Sequence, residues 1–411
     1  MVVSFQVTNF LKAEDSTFAK LKDELASLDY IEKNNDLYKF KQSVQDLRHY
    51  EGLAEFPAIS SFHKFLVDEV KHWVGKAWGV DDLTDEVDAF AARYDYSDYL
   101  LAHDDQLEGR RIAYIWYLTD DKWGFKDGGK FTMIHCNPEH QPSTFSMGIA
   151  PQPNQLLTFE VSPRSYHMVA EVLSRDKSRV SIGGWFHSPT KSEPHVFEQP
   201  KSFSYDMDYI MPGPEKVRPG DIEEDVFYAW VNPQYLDVNN QAQIQQQFST
   251  NSEISLSNFI KAEKYQALSD ALLGKGVWIN RGPLNRNFYE VLIDAYQVPV
   301  IKECVRFLRS DAMFLLLSNL TGLRLHELAP EQSDSEDAED GAGAGPSTSA
   351  SRNSPSKRSP GKRMGGGGGG AEKQFDPTCK SEVRRWTRGF YTLIHDEDAQ
   401  NAEVALDLRQ G

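Results

Sequence analysis

LLAHDDQLEGRRIAYIWYL, Leu100 to Leu118, joins two apolar runs across a polar turn, and the first run ends in a histidine and two aspartates. A β-hairpin has no need of His103 between Leu101 and Asp105. Side chains two apart on an extended strand point the same way. The spacing therefore predicts that His103 and Asp105 face one centre while Asp104 faces elsewhere. One imidazole and one carboxylate, joined by a second imidazole from a distant strand, make the facial triad that holds non-haem iron(II). The expected partner is His167, in the strand-like run VSPRSYHMVAEVL. His-x-Asp alone recurs by chance, and its plain alternative is a surface turn with an incidental histidine.

The flanks supply a fold. From about Ala89, short runs rich in β-branched and aromatic residues follow one another: FAARYDYSDYLLA, RRIAYIWYLT, GKFTMIHC, QLLTFEVS, SYHMVAEVL and RVSIGGWFHS. Turn-rich pieces such as DKWGFKDGG separate them, which predicts an antiparallel sandwich or barrel. Helical spacing precedes it over 14–27, and over 60–78 with Phe62, Phe65, Leu66, Val70 and Trp73 on one face. Residues 191–220 read as a linker. Helical patterns then return, in FIKAEKYQALSDALL and VIKECVRFLRSDAMFLLLSNL. Residues 331–375, acidic and then Gly/Ser/Pro-rich, have too little apolar surface to order themselves and are expected to be a disordered insert. YTLIHDEDAQNAEVALDL, from Tyr391, echoes the opening stretch and suggests a tandem of two related barrels. The expected organisation is 1–190, a linker 191–220, and a second domain 221–411.

Composition narrows the function. The 411 residues carry a formal net charge of −17, which argues against a general nucleic-acid binder. No apolar run approaches the roughly 18 residues of a membrane span, and the N-terminus has no signal-peptide pattern. Cys136, Cys304 and Cys379 are odd in number and widely spaced, as expected of free thiols. The cluster His135, Cys136 and His140 fits no zinc spacing and reads as a strand end and loop. His187 reads as a strand-end histidine. Gly183 and Gly184 suit a close backbone approach.

Twelve residues after His167 comes Arg179. An arginine pointing into a barrel is costly unless a carboxylate meets it, and a planar guanidinium suits a bidentate carboxylate. 2-Oxoglutarate offers one: its keto-acid end chelates iron and its other end is a free carboxylate. Tyr94 and Tyr117 could add hydroxyl contacts or be core residues.

His103-x-Asp105, His167 and Arg179 together resemble the iron(II)- and 2-oxoglutarate-dependent dioxygenases with a double-stranded β-helix core. NDLYKFKQS, HDDQLEGRRIAYIWYL, FEVSPRSYHMVAEVLS and SRVSIGGWFHSPT further resemble the ribosomal prolyl 3-hydroxylases, and VNPQYLDVNNQAQIQQQF, RSDAMFLLLSNLTGL and YTLIHDEDAQNAEVALDL resemble that family's second domain. The resemblance covers nearly the whole chain apart from 331–375. It implies tandem double-stranded β-helix (jelly-roll) domains with flanking helices, only the first catalytic. It also implies 3-hydroxylation of a proline in a small-subunit ribosomal protein at the decoding centre, affecting translation accuracy or termination. By the same resemblance His103, Asp105 and His167 bind Fe(II), Arg179 binds the 2-oxoglutarate carboxylate, Tyr94 and Tyr117 contact that cosubstrate, and L-ascorbate is the reductant. The family's second domain continues beyond ALDL, so an incomplete second barrel is expected. His395 there is followed two residues on by Glu397 and by no later histidine, so no second catalytic iron is expected. The basic run KRSPGKR, from Lys357, suggests a nuclear as well as a cytoplasmic location. Direct nucleic-acid binding and membrane association are not expected. Two other functions fit less well: a demethylase using the same iron core, and a non-enzymatic scaffold regulating translation or degradation.

Overall fold

The computed structural model describes residues 4–11, 15–107, 109–119, 123–146, 148–190, 214–274, 276–329 and 377–393. The 331–375 insert with its basic run, and the echo at His395 and Glu397, lie outside them. Among the described residues no helix is long and apolar enough to cross a membrane.

Two compact units are present. The first comprises Met1–Gly213, Trp278–Leu292 and Val383–Gly411; the second, Pro214–Val277 and Ile293–Glu382. The first holds an eleven-stranded antiparallel sheet. Its strands are β1 (Ser4–Val7), β2 (Tyr30–Asn34), β3 (Tyr38–Ser43), β4 (Phe90–Tyr94), β5 (Tyr99–His103), β6 (Arg110–Tyr117), β7 (Phe131–Cys136), β8 (Pro142–Phe145), β9 (Leu156–Glu160), β10 (His167–Val169) and β11 (Arg179–His187). The order β1-β9-β6-β11-β4-β3-β5-β10-β7-β8 shows the winding. Strands β9, β6, β11 and β4 form one wall, and β5, β10, β7 and β8 the other. The chain crosses between walls from β4 to β5, β5 to β6, β6 to β7, β8 to β9, β9 to β10 and β10 to β11. That alternation is a double-stranded β-helix, with β3 bridging the two walls.

Period-two alternation explains the apolar run in β6. Ile112, Tyr114 and Trp116 face outward onto a helical layer, while Ala113 and Tyr117 face into the barrel with Phe131, Leu157 and Phe159. A strand buried on both faces reads as nearly continuous apolar sequence. The helical layer is α1 (Asp15–Ala26), α2 (Pro57–Phe65) and α3 (Lys71–Trp78), with a π-helical segment, Leu66–Val70, joining the last two. Phe62 stacks on Trp116 with ring centroids 4.7 Å apart. The π segment widens the helical repeat, so the buried row runs Phe62, Leu66, Val70, Val74. Trp73, expected on that row, is 43% exposed.

In the second unit, helices α4 (Glu224–Trp230), α5 (Val238–Asn251), α6 (Ala262–Leu273), α7 (Pro299–Leu308) and α8 (Asp311–Thr321) pack around Trp230, Phe307, Met313 and Leu316. Four short strands occur late in the chain: β12 (Trp278–Arg281), β13 (Asn287–Leu292), β14 (Arg384–Arg385) and β15 (Tyr391–Thr392), all pairing through β13. These belong to the first unit. Leu284 is buried with Ala102 and Ile134, its backbone N–H donates to the Pro142 carbonyl, and Phe288 meets Phe145 edge-on at 4.9 Å. The first compact unit thus takes in 278–292 and 383–393 from the C-terminal half. A β12–β13 hairpin from the C-terminal half packs behind the strand that ends in His103, because Ala102 points away from the barrel interior. Among the described residues the second half contributes these four strands and five α-helices.

Gly184 lies on β11 with its missing side chain aimed at a neighbouring backbone. A Cβ there would stand 1.8 Å from the Asp88 carbonyl oxygen, whereas one at Gly183 would meet the Tyr114 carbonyl oxygen at 3.2 Å. Gly184→Ala is expected to destabilise the protein by about 3 kcal/mol or more, and Gly183→Ala clearly less. Thermal melts of the two variants check this order.

Candidate active site

One wall, through β5, the turn after it and β10, brings three side chains together. Strands β5 and β10 pair so that His103 lies directly opposite His167, and the register shifts just beyond. The ring centroids are 4.2 Å apart. Each Nδ1 meets a carbonyl two residues earlier, Leu101 O at 2.7 Å and Ser165 O at 2.8 Å. A carbonyl only accepts, so each Nδ1 carries the proton and each Nε2 turns inward. Asp105 meets them there, Oδ1 3.4 Å from His103 Nε2 and Oδ2 3.4 Å from His167 Nε2.

Strand alternation does not bring Asp105 to this point, contrary to the sequence expectation. Strand β5 ends at His103, and Asp105 adopts a left-handed backbone with φ 62°. A non-glycine residue held there is strained, and such strain concentrates at functional sites. Trp185 on β11 donates its indole N–H to Asp105 Oδ2 at 3.2 Å.

The charges are mutually adjusted. Burial pushes the Asp105 carboxyl upward, but the charges of His167 and His103 outweigh it and hold the group well below the usual carboxylate range. Burial, followed by the His103 charge, lowers the His167 imidazole; Asp105 only partly opposes this. Ligand atoms from the three residues all lie within 4.8 Å of one another. Two inward Nε2 atoms fixed by backbone, plus an ionised carboxylate, fit the donor set of non-haem iron(II).

A cavity of about 170 Å³ runs from these residues to Arg179. Arg179 begins β11 opposite Tyr94, and Ser181 lies opposite Tyr117. The guanidinium is 1% exposed and sits 4.9 Å and 5.0 Å from the Tyr94 and Tyr117 ring centroids. Its Nε donates to the Gly129 carbonyl at 3.1 Å and its Nη1 to Ser181 Oγ at 3.4 Å. Among the described residues no carboxylate pairs with it; its Nη2 and the Tyr117 hydroxyl are buried beside each other, in electrostatic contact but without a hydrogen bond of good geometry. Burying an unpaired charge costs several kcal/mol (roughly 3–5 when a pair is broken). A carboxylate entering the cavity would supply the counter-charge and well-aligned acceptors for both groups.

Sequence reasoning missed Trp185, the Gly129 carbonyl, and the Phe131 and Phe159 rings that pack against His167 at 5.2 Å and 4.6 Å. Period-two alternation along β11 was the available signal for Trp185, since it shares a face with Arg179. His135, Cys136 and His140 fall on β7 and its turn to β8, and Cys136 Sγ contacts the Arg164 carbonyl. Among the described residues the other metal-capable group is Glu86, Asp88 and His187. There Arg48 already pairs with Asp88 at 2.7 Å and His187 Nε2 bonds Asp88 at 3.0 Å. Among the described residues Cys136, Cys304 and Cys379 form no disulfide.

A β-helix with two histidines, a carboxylate and a buried arginine around one cavity defines the class of 2-oxoglutarate-dependent iron oxygenases. Sequence comparison agrees: residues 89–187 match the 2OG-Fe(II) oxygenase superfamily, and 223–410 match the oxoglutarate and iron-dependent oxygenase degradation C-terminal domain. The chain is 39% identical to prolyl 3-hydroxylase OGFOD1 of Mus musculus, over 98% of this chain and 73% of that protein. It is 37% identical to prolyl 3-hydroxylase OGFOD1 of Xenopus laevis, over 95% and 69%. Among solved structures, a Pseudomonas putida prolyl-4-hydroxylase is 17% identical over 46% of this chain and 93% of that one, with a TM-score of 0.36. The chain belongs to the prolyl 3-hydroxylase family of 2-oxoglutarate- and iron(II)-dependent oxygenases. Iron(II) and 2-oxoglutarate are the cofactor and cosubstrate that this membership implies.

His167→Ala removes one inward Nε2 from a position that backbone pairing otherwise preserves. It is expected to lose measurable Mn(II) or Fe(II) binding while its circular dichroism stays that of the native protein. Metal titration with a parallel spectrum checks this.

Proposed function

We propose that this protein hydroxylates a prolyl residue of a protein substrate at ring carbon 3. The observation that carries the cosubstrate reading is Arg179, a buried guanidinium with no carboxylate partner among the described residues and no well-aligned acceptor at Nη2. His103, Asp105 and His167 would hold the iron. Iron(II) bound there supplies oxygen activation coupled to decarboxylation of 2-oxoglutarate to succinate and carbon dioxide, with one oxygen atom ending in the substrate C–H bond.

The chain's own residues bind, orient and exclude water. Arg179 grips the distal carboxylate of 2-oxoglutarate as a planar fork. Tyr117 adds its hydroxyl beside the guanidinium, and Tyr94 walls the other side. The backbone bonds at Nδ1 keep both imidazoles in the ligating tautomer. Phe131 and Phe159 back His167 with apolar surface and keep water from its rear. Ala92, Ala113 and Gly183 line the cavity with little bulk, leaving room for a prolyl ring.

The relatives' printed names support proline and carbon 3, and the motif resemblance supports a small-subunit ribosomal protein as the substrate, with an effect on translation. L-Ascorbate as reductant and a location in both cytoplasm and nucleus belong to the same reading.

Turnover of the purified chain with iron(II), 2-oxoglutarate and prolyl peptides from small-subunit ribosomal proteins tests it. The expected result is succinate release matched by a peptide gaining the mass of one oxygen atom, with fragmentation and chromatography placing the hydroxyl at carbon 3. Loss of a methylene instead would favour a demethylase, and no turnover would favour a scaffold. Arg179→Lys keeps the charge and loses the fork. It is expected to raise the apparent constant for 2-oxoglutarate about tenfold or more, equivalent to ~1.4 kcal/mol, with metal binding unchanged.

A further inference from the structure

We propose that Trp185 is a positioning residue for the metal site, holding Asp105 in its strained conformation through the indole N–H. The inference rests on the reading of His103, Asp105 and His167 as the metal-binding set.

Three observations meet at this side chain. The first is the bond itself: Trp185 Nε1 donates to Asp105 Oδ2 at 3.2 Å; that oxygen also lies 3.4 Å from His167 Nε2, and Oδ1, which the indole does not reach, lies 3.4 Å from His103 Nε2. An oxygen that already accepts an N–H has less lone-pair density to give, so the indole differentiates the two carboxylate oxygens. Second, Asp105 needs holding. It lies beyond the end of β5 at φ 62°, where no strand pairing fixes it. A carboxylate on such a backbone has no regular hydrogen-bond ladder to define its direction. Third, Trp185 is itself held. It pairs with Ala113 of β6, and its carbonyl accepts the Asp88 N–H at 3.0 Å. The Arg110 guanidinium lies over its ring, 3.3 Å from the centroid. Stacking of this kind fixes the plane of the indole and hence the direction of its N–H.

Strand β11 thus carries both ends of the site on one face. Arg179 stands at its start and Trp185 six residues on, with Ser181 and Gly183 between. The strand that grips the cosubstrate also aims the carboxylate. Partners behind a ligand commonly change metal affinity by ten- to a hundredfold.

The test uses the full chain and Co(II) alone, whose visible absorption reports ligand geometry. Trp185→Phe keeps the aromatic ring and loses the donor. The expected result is about ten- to a hundredfold weaker Co(II) binding and an altered cobalt spectrum, with the metal-free melting temperature close to native. Trp185→Gln, which keeps a side-chain N–H donor and adds no imidazole ligand, is expected to recover part of the affinity. Native affinity and spectrum in Trp185→Phe would overturn the proposal. His167→Ala separates it from the reading beneath: Co(II) bound equally well by native protein and His167→Ala would overturn the metal site itself. Should Trp185→Phe fail to fold, native protein labelled with 15N-tryptophan decides instead. The Trp185 indole resonance, assigned through Trp185→Gln, is expected to shift on addition of Zn(II); an unmoved resonance overturns the proposal.

Discussion

The antiparallel register of β5 with β10 is the constraint on which the rest of the site depends. It sets His103 directly opposite His167. Side chains in such a pair stand a few ångströms apart on one face, so neither histidine needs a flexible reach. A slip of one residue would turn the imidazole to the other side of the wall. The local irregularity between His167 and Val169 lets the pair keep this alignment while the strands bend around the barrel.

Strand β11 completes what that pairing begins. Its outward residues, Ile182 and Phe186, are anchored in the helix-backed core, while Arg179, Ser181, Gly183 and Trp185 look inward. The outward side contributes stability by burial. The inward side accepts a cost, above all at Arg179, where a buried cation lacks a counter-ion among the described residues. A protein tolerates such a cost when a ligand returns it, and only a concave, dry cavity makes the return large.

The C-terminal half takes part in the catalytic unit structurally. Leu284 and Phe288 pack against Ala102, Ile134 and Phe145, behind the wall that carries both histidines. Any rearrangement of that hairpin acts on the strand ending in His103. Helical and strand patterns along a chain do not say which surface such a short hairpin will cover.

Local chemistry was legible in the sequence where a rule of spacing applied. Period two marked the strands from Ala89 onward, and the donor types at His103, Asp105, His167 and Arg179 pointed to one iron chemistry before any coordinates. The helices before the barrel were legible as well, but Trp73 was assigned to the wrong face because a π segment changes the repeat without leaving a mark in residue type. Only tertiary structure decided how Asp105 reaches the centre, since a left-handed backbone and an indole eighty residues away replace strand alternation there. Only it decided that Arg179 is buried without a carboxylate among the described residues, with the Tyr117 hydroxyl beside it. The physical reason is the same in each case: a sequence fixes which groups a chain can offer, whereas burial and pairing depend on segments far apart in the chain meeting across the barrel.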